Sequence, residues 1–271
     1  MTDRIHHLNA ATMCPAAGRL PRPLPDLMPR TLVAHCLLVE RPDGLTLVDT
    51  GLGTGDLSDP GRLGRPFLAT VGPRLDPAET AVAQVRALGY QPADVRDIVV
   101  THLDCDHAGG LGDFPHARVH VHAAELAAAR ARRSAREKGR YVPVQWGHGP
   151  RWVEHGGTGD VDWFGFAATP VVGDDVWLVP LPGHTRGHSA VAVRRPDGGW
   201  LLHAGDAYFF AGEKEQPPTC PPGLRLFQAA VQMDRTARLA NADRLRELHA
   251  RQRPEVTIFC AHDESELIAL R

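Results

Sequence analysis

Histidine and aspartate are concentrated in one short segment, residues 101–110, which reads THLDCDHAGG. Within six consecutive positions it holds two histidines and two aspartates: His102, Asp104, Asp106 and His107. Imidazole nitrogens and carboxylate oxygens are common protein ligands of divalent transition ions. A solvated polar loop can carry the same letters by chance, but this density favours a metal-binding segment that serves hydrolysis.

Three later segments place further candidate ligands where predicted strands end. They are PGHTRGH with His184 and His188, AGD with Asp206, and CAHD with His262. In α/β proteins, ligands commonly bind at the mouths of strands. We therefore predict one centre that gathers seven side chains: His102, Asp104, Asp106, His107, His184, Asp206 and His262.

The order of these motifs resembles that of the metallo-β-lactamase-fold hydrolases, and the acyl-homoserine-lactone lactonases are the most similar in pattern. The resemblance spans roughly residues 31–263 and includes the strand end LVDTG at residues 47–51. It implies an α/β fold of one domain, a four-layer αββα sandwich in which two mixed sheets face each other. It also implies two metal ions at one edge of the sheets.

The resemblance also assigns roles to single residues. His188 and Asp49 would support the site without binding metal, Asp49 by fixing the metal loop through hydrogen bonds. The implied ligands are His102 and His184 for the first ion, Asp106, His107 and His262 for the second, and Asp206 as a bridge between them.

Asp104 departs from the family pattern, which usually has a histidine at this place. A carboxylate is a harder ligand than imidazole, and it shifts preference from zinc towards iron or manganese. Flavodiiron proteins similarly resemble the family with a carboxylate there. Because aspartate is also short, the alternative is that Asp104 orients a ligand without touching the ion. We expect direct ligation and two divalent ions, zinc first, with iron or manganese as alternatives.

A metal ion can lower the pKa of bound water from about 15.7 to about 7 and so supply hydroxide at neutral pH. The predicted reaction is cleavage of an ester bond by a metal-bound hydroxide, with a lactone favoured. We assign catalytic roles to Asp106, Asp206 and Tyr208. The similar lactonases carry their tyrosine one position later, where this chain has Phe209, so a packed core tyrosine is the alternative reading of Tyr208.

These residues need strands and helices that bring them to one edge. The sequence pattern predicts a hairpin over residues 31–49 and a capped helix over residues 76–89. We predict an irregular N-terminal segment over residues 1–30 and an insertion near the active site over about residues 123–166. The insertion begins as a helix and continues as a loop from residue 145. Further strands are predicted at residues 97–101, 118–122, 176–181, 189–194, 199–204 and 256–261. A helix is predicted at residues 226–249, with a break near residue 241.

Composition narrows the functional classes. The 271 residues carry 30 basic and 32 acidic side chains, a formal net charge of −2, which gives no electrostatic reason to bind nucleic acid or a membrane. The sequence contains no run of about 18 apolar residues, so we predict no membrane span. The first residues, MTDRIHH, do not resemble a secretory signal. Five cysteines without a CxxC motif favour a reducing compartment, hence the cytoplasm. We expect a small-molecule ester or lactone as partner, and the aromatic-rich insertion leaves a homodimer open.

A β-lactamase role is the weakest alternative, since nothing beyond the fold suggests it, and three other rival functions remain. A thioesterase of the glyoxalase II type would need a basic cluster for glutathione, which the sequence does not show. An iron-binding redox protein would suit Asp104, but no flavodoxin-like domain accompanies it. A ligand-binding sensor that turns over slowly is the third alternative.

Overall fold

Two six-stranded sheets form the centre of the molecule. The computed structural model describes residues 4–19, 27–157, 159 and 161–271. The first sheet contains, in spatial order, β1 (Arg4–Met13), β2 (Leu32–Arg41), β3 (Gly44–Val48), β4 (Val95–Val99), β5 (Arg118–His122) and β6 (Arg151–His155). The second contains β12 (Val256–Phe259), β11 (Trp200–His203), β10 (Ser189–Arg194), β9 (Val176–Pro180), β8 (Phe166–Val172) and β7 (Val161–Trp163).

Both sheets are mixed. In the first sheet, β1 to β3 pair antiparallel, whereas β3 to β6 run parallel. In the second, β7 to β11 pair antiparallel and β12 is parallel to β11. Parallel strands end at the same edge of a sheet, so β3, β4, β11 and β12 deliver the residues that follow them to shared edges.

The predicted αββα sandwich is confirmed. Apolar residues from β2, β3 and β4 meet residues from β8 to β12 in one buried cluster, which includes Leu37, Val99 and Phe259. A second cluster covers the other face of the first sheet, and a third covers the other face of the second sheet. The sheets therefore face each other, with helices on both outer sides.

Nine α-helices lie among the described residues. They are α1 (Thr54–Ser58), α2 (Arg65–Thr70), α3 (Ala81–Ala87), α4 (Cys105–Ala108), α5 (Ala123–Ala131), α6 (Ala135–Arg140), α7 (Pro222–Val231), α8 (Arg235–Gln252) and α9 (Glu264–Leu270). None of these helices has the length and apolar character needed to cross a bilayer. The predicted helix over residues 226–249 is broken at residues 232–234, between α7 and α8, and not near residue 241.

The predicted helix over residues 76–89 is also divided. Asp76 caps a single 3₁₀ turn, Pro77–Glu79, and Thr80 then caps α3 by accepting a hydrogen bond from the N–H of Ala83. Glu79 does not complete a capping box. Its two carboxylate oxygens accept hydrogen bonds from the backbone and the hydroxyl of Thr12, both at 2.6 Å, and so fasten this turn to β1.

Two boundaries differ from the sequence prediction. The N-terminal segment over residues 1–30 is not irregular throughout, because Arg4–Met13 pairs along β2 as a ten-residue strand with a bulge between Asn9 and Thr12. Residues 1–3 and 20–26 of that prediction lie outside the described residues. The predicted loop over residues 145–166 contains β6 and β7.

Candidate metal centre

All seven predicted ligands converge at one edge of the two sheets. Their side chains form two groups in which the candidate ligand atoms lie within 4.8 Å of one another. The first group is His102, Asp104, His184 and Asp206, and the second is Asp106, His107 and His262. This is the division that the family resemblance implied, and Asp104 lies in the first group.

Strand ends and short turns place these residues. His102 follows β4, and Asp104 is the residue before α4, which carries Asp106 and His107. His184 lies in the turn between β9 and β10. Asp206 follows β11 and His262 follows β12, and these two parallel strands are held in register up to His203 and Phe259. The chain therefore reaches the centre from both sheets.

Gly205 makes the turn that delivers Asp206. Its φ is +52°, and a Cβ atom at this position would lie 2.7 Å from His188 Nε2 and 3.0 Å from the Cβ of Thr101. Only glycine accepts both this conformation and this close approach without strain.

The separations within the first group suit a single ion. His184 Nε2 lies 3.0 Å from Asp104 Oδ2 and 3.2 Å from Asp206 Oδ2. His102 Nε2 lies 3.4 Å from Asp104 Oδ2 and 3.8 Å from Asp206 Oδ2. Ligand atoms about 2.0–2.2 Å from a tetrahedral ion would stand roughly 3.3–3.6 Å apart, so the observed spacing fits.

Asp206 faces both groups at once. While its Oδ2 points to the first group, its Oδ1 lies 3.0 Å from His262 Nε2 and 3.2 Å from His107 Nε2. Asp106 Oδ2 completes the second group at 3.8 Å from His262 Nε2. A carboxylate with one oxygen toward each group has the geometry of a bridging ligand.

Several buried polar atoms at the centre have no hydrogen-bond partner. They are His102 Nε2, His107 Nε2, Asp104 Oδ1 and Asp206 Oδ1. Leaving a buried polar atom unsatisfied costs about 1–3 kcal/mol, more for a charged group, so four such atoms within two neighbouring ligand groups need an explanation. Divalent cations at the two groups would satisfy these donor atoms, and the residues present therefore fit a pair of metal ions.

Hydrogen bonds to the outer ring nitrogens orient three of the histidines. Nδ1 of His107 lies 2.8 Å from Asp49 Oδ2, Nδ1 of His102 lies 2.9 Å from the hydroxyl of Thr101, and Nδ1 of His262 lies 2.8 Å from the carbonyl oxygen of Val33. Each bond leaves Nε2 directed at the centre, the tautomer that a metal ligand requires.

Asp49 and His188 provide the support that the resemblance implied. Asp49 accepts hydrogen bonds from the backbone and the hydroxyl of Thr101 at 2.7 and 2.8 Å, in addition to its bond with His107. His188 Nε2 accepts from the N–H of Asp206 at 2.9 Å, while its Nδ1 lies 2.9 Å from the carbonyl oxygen of Leu181.

Glu125 is a supporting residue that the sequence did not reveal. Its fully buried carboxylate accepts hydrogen bonds from the N–H groups of Leu103 and Gly187, both at 3.0 Å. These two backbone groups belong to different ligand-bearing loops, so Glu125 holds the loops together. Its position in an alanine-rich helix gave no signal of this role.

The ionisable side chains at the centre shift one another's pKa. Burial alone would raise the pKa of Asp206, but His262, His107 and His184 outweigh it and hold this pKa well below its usual range. Burial lowers the pKa of His184 to about 4, against the opposing effect of Asp206. His184 is therefore neutral at pH 7 and has the lone pair that a metal ligand needs.

Arg140, at the end of α6, is the second residue that the sequence reading missed. Its Nη1 donates to Asp104 Oδ2 at 2.8 Å and lies 3.0 Å from His184 Nε2, and its Nη2 donates to the carbonyl oxygen of Val231. Burial opposes ionisation of Asp104, but the Arg140 and His102 charges outweigh it and hold the pKa of Asp104 well below its usual range.

Tyr208 does not lie at the centre, so the prediction that it contacts the reacting groups is wrong. It is buried behind the second sheet, where its hydroxyl donates to Glu266 Oε1 at 3.1 Å. Phe209, the next residue, lies in the wall of the cavity and packs against His262, with ring centroids 4.7 Å apart.

A cavity of about 260 Å³ opens onto the centre. Five of the seven candidate ligands line its floor: Asp104, Asp106, His184, Asp206 and His262. Its walls are mainly apolar, and they include Met13, Met28, Leu32, Leu63, Phe67, Val71, Val142, Phe209, Phe227 and Val231. Among the described lining residues, Arg136 and Arg140 are cationic. The cavity can hold a small molecule with an apolar part beside the polar centre.

Comparison with known proteins agrees with this arrangement. Residues 29–262 match the model of the Metallo-beta-lactamase superfamily. A probable metallo-hydrolase of Mycobacterium tuberculosis is 45% identical over 265 residues, covering 96% of this chain and 80% of the relative. An N-acyl homoserine lactonase of Rhizobium johnstonii is 34% identical over 174 residues, covering 64% of each chain.

The fold has close counterparts among solved structures. An N-acyl homoserine lactone hydrolase with N-hexanoyl-L-homoserine bound at its catalytic metal center superimposes with a TM-score of 0.75. The match covers 100% of this chain and 97% of that one at 23% identity. At this identity the likeness establishes the fold, and it leaves the substrate to be argued from the site.

Proposed function

This chain belongs to the metallo-beta-lactamase superfamily, and from that premise we propose that it is a metal-dependent hydrolase of small lactones that carry an apolar substituent. The observation that carries the proposal is the cavity, whose floor is the ligand set and whose walls are apolar. The lactonase relative of Rhizobium johnstonii supports it, since an N-acyl homoserine lactone joins a cyclic ester to an acyl chain.

Two divalent ions would be held by the two groups, with His102, Asp104 and His184 on one side, Asp106, His107 and His262 on the other, and Asp206 between them. Bound there, the ions would activate water and polarise a carbonyl group. We propose zinc, because four of the seven donors are imidazole nitrogens, which suit this ion well.

The chain's own residues position the substrate and exclude water. The apolar walls, including Phe67 and Phe227, would hold the substituent and place the ester over the floor of the cavity. Asp206 is fixed at its backbone by His188 and presents one oxygen to each group, so it orients both sides of the centre at once. Asp106 reaches the cavity and is the partly exposed carboxylate of the second group.

A substrate panel tests the proposal. Purified protein loaded with zinc should open acyl homoserine lactones with longer chains at a higher kcat/KM than the unsubstituted lactone. It should show lower kcat/KM values for an acyl thioester of glutathione and for a β-lactam. Phe67→Ala should lower the preference for the longer chain, because it removes apolar wall without touching a ligand, while Val144→Ala, which changes an exposed side chain, serves as the control.

Three outcomes would contradict the proposal. Preference for the glutathione thioester would favour the thioesterase alternative. Iron in the purified protein, with redox activity and no hydrolysis, would favour the iron-binding alternative. Equal kcat/KM values for all acyl lengths would show that the apolar cavity does not determine the choice of substrate.

We further propose that the protein works in the reducing cytoplasm, because its five cysteines are widely scattered and form no CxxC motif. Assembly as a homodimer stays a prediction, which sedimentation of the purified protein would test.

A further inference from the structure

Asp104 and Arg140 form a largely buried ion pair at the edge of the first ligand group. Arg140 Nη1 lies 2.8 Å from Asp104 Oδ2, and the arginine side chain is only 7% exposed. The guanidinium also contacts His184 at 3.0 Å, so it lies beside two of the residues that would hold the first ion.

The pair changes the charge of the centre. Asp104, Asp106 and Asp206 contribute three negative charges, and the charge of Arg140 reduces the total to −2. A neutral histidine at position 104 without Arg140 would also leave −2. In charge, the pair therefore equals the histidine that usually stands there in the family pattern.

The geometry leaves room for both partners of Asp104. Asp104 Oδ2 accepts from Arg140 Nη1 at 2.8 Å and also lies 3.0 Å from His184 Nε2 and 3.4 Å from His102 Nε2, while Oδ1 is buried and has no hydrogen-bond partner. A carboxylate can accept from a guanidinium and ligate a cation at the same time, because its two oxygens offer about four lone-pair sites. The bond also fixes the short side chain of Asp104 in a direction that reaches the first group.

We propose that Asp104 and Arg140 act as one unit that replaces the usual histidine, with Arg140 as a positioning residue for the first metal ion. The inference rests on the metal-dependent function proposed above. It explains how a third carboxylate is accommodated, and it makes Arg140 necessary only while residue 104 is an aspartate.

A double-mutant cycle tests this dependence. The four proteins are the wild type, Asp104→His, Arg140→Met and the double variant, each equilibrated with buffered zinc and analysed for zinc per chain. By ligand hardness alone, Asp104→His would strengthen zinc binding. We expect instead that it weakens binding of one of two ions by at least about tenfold, because Arg140 is then an unpaired cation near that ion.

In the Arg140→Met background, the same substitution should cause no loss of zinc. Arg136→Met is the matched control, because Arg136 lies one turn earlier on α6, lines the same cavity and bonds to the carbonyl oxygen of Gln232 at 2.7 Å without contacting Asp104. In that background, Asp104→His should still cost one ion.

Equal effects of Asp104→His in the wild-type and Arg140→Met backgrounds would overturn the proposal. The thermal midpoint, measured with and without zinc, is the second readout and needs no turnover. If the Asp104→His variant does not fold, folding of the double variant would support the proposal. If Arg140→Met folds but the double variant does not, the proposal is overturned. A wild-type protein that binds no zinc would overturn the proposed function as well, whereas equal effects in a zinc-binding protein overturn only the pairing.

Discussion

Asp49 Oδ2 and His107 Nδ1 lie 2.8 Å apart, and this bond sets which nitrogen of His107 faces the centre. Asp49 is fully buried and has a φ of +57°, a conformation that few residues other than glycine adopt. The chain thus accepts a strained backbone at the end of β3 to hold one imidazole ring in place.

Asp49→Asn should therefore weaken metal binding without breaking the fold. The amide keeps the shape of the side chain but loses the charge that orients His107 and Thr101, so we expect a loss of roughly 10–100-fold in affinity for the second ion. Zinc titration of the metal-free protein would measure the change. Unchanged affinity would show that the bond to Thr101 alone is enough to set the loop.

Asp206→Ala should empty both groups. One oxygen of Asp206 faces each group, so its removal takes a ligand from both, and we expect less than one ion per folded chain and loss of most activity. Elemental analysis and circular dichroism together would establish this. Retention of two ions with full activity would refute the bridging role.

Tyr208→Phe should separate stability from activity. The substitution removes the hydroxyl that donates to Glu266, so we expect a loss of about 1 kcal/mol in the free energy of unfolding and a kcat within about twofold of the wild type. Urea denaturation and a lactonase assay would test the two parts. A large fall in kcat at unchanged stability would return Tyr208 to a catalytic role.

A pair of histidines away from the metal centre should make stability depend on pH. Burial, followed by the charges of His203, Arg271 and His6, lowers the pKa of His7 to about 4, and Nδ1 of His7 is hydrogen-bonded to His35 Nε2 at 2.8 Å. The unfolded chain binds a proton near pH 6.5 and the folded chain does not, so stability is full above pH 6.5 and falls as the pH drops towards 4, by at most about 3 kcal/mol.

His7→Asn should reduce this pH dependence, because its amide does not titrate. Chemical denaturation at several pH values between 4 and 7 would compare the variant with the wild type. Equal slopes of stability against pH in both proteins would show that other groups dominate the acid sensitivity.

The ligands were predictable because each stands in a short motif at a strand end. Hydrophobic runs located the strands, and the polar residues directly after them, such as Asp206 and His262, had to lie at a common edge. Residue type then gave their chemistry. Local sequence was sufficient because the turns that direct these side chains lie within a few residues of them.

Arg140 was not predictable in the same way. Residues 123–140 contain several arginines, and no local signal separates the one whose guanidinium reaches Asp104, because that contact spans 36 positions and depends on how α6 packs. The position predicted for Tyr208 was wrong for a different reason. After Gly205 the chain turns with a positive φ, so the alternation of the strand no longer tells whether residue 208 or residue 209 faces the cavity.

The unexpected strands also have physical causes. In β1, the alternation is disrupted by a bulge and by polar residues that are partly buried, including His6 and His7. In β6 and β7, the strands lie at sheet edges and carry charged residues, which is usual for edges and hides them from a hydrophobic pattern.

The two sheets contribute their ligands from distant parts of the chain, and this fixes an order of events during biogenesis. His102 and His107 are synthesised long before Asp206 and His262, so the first half of the centre leaves the ribosome as an incomplete set of donors. The first group becomes complete only after β11 has placed Asp206, and the second only after β12 has docked beside β11 and placed His262. Binding of both ions is therefore possible only after residues from both sheets have come together.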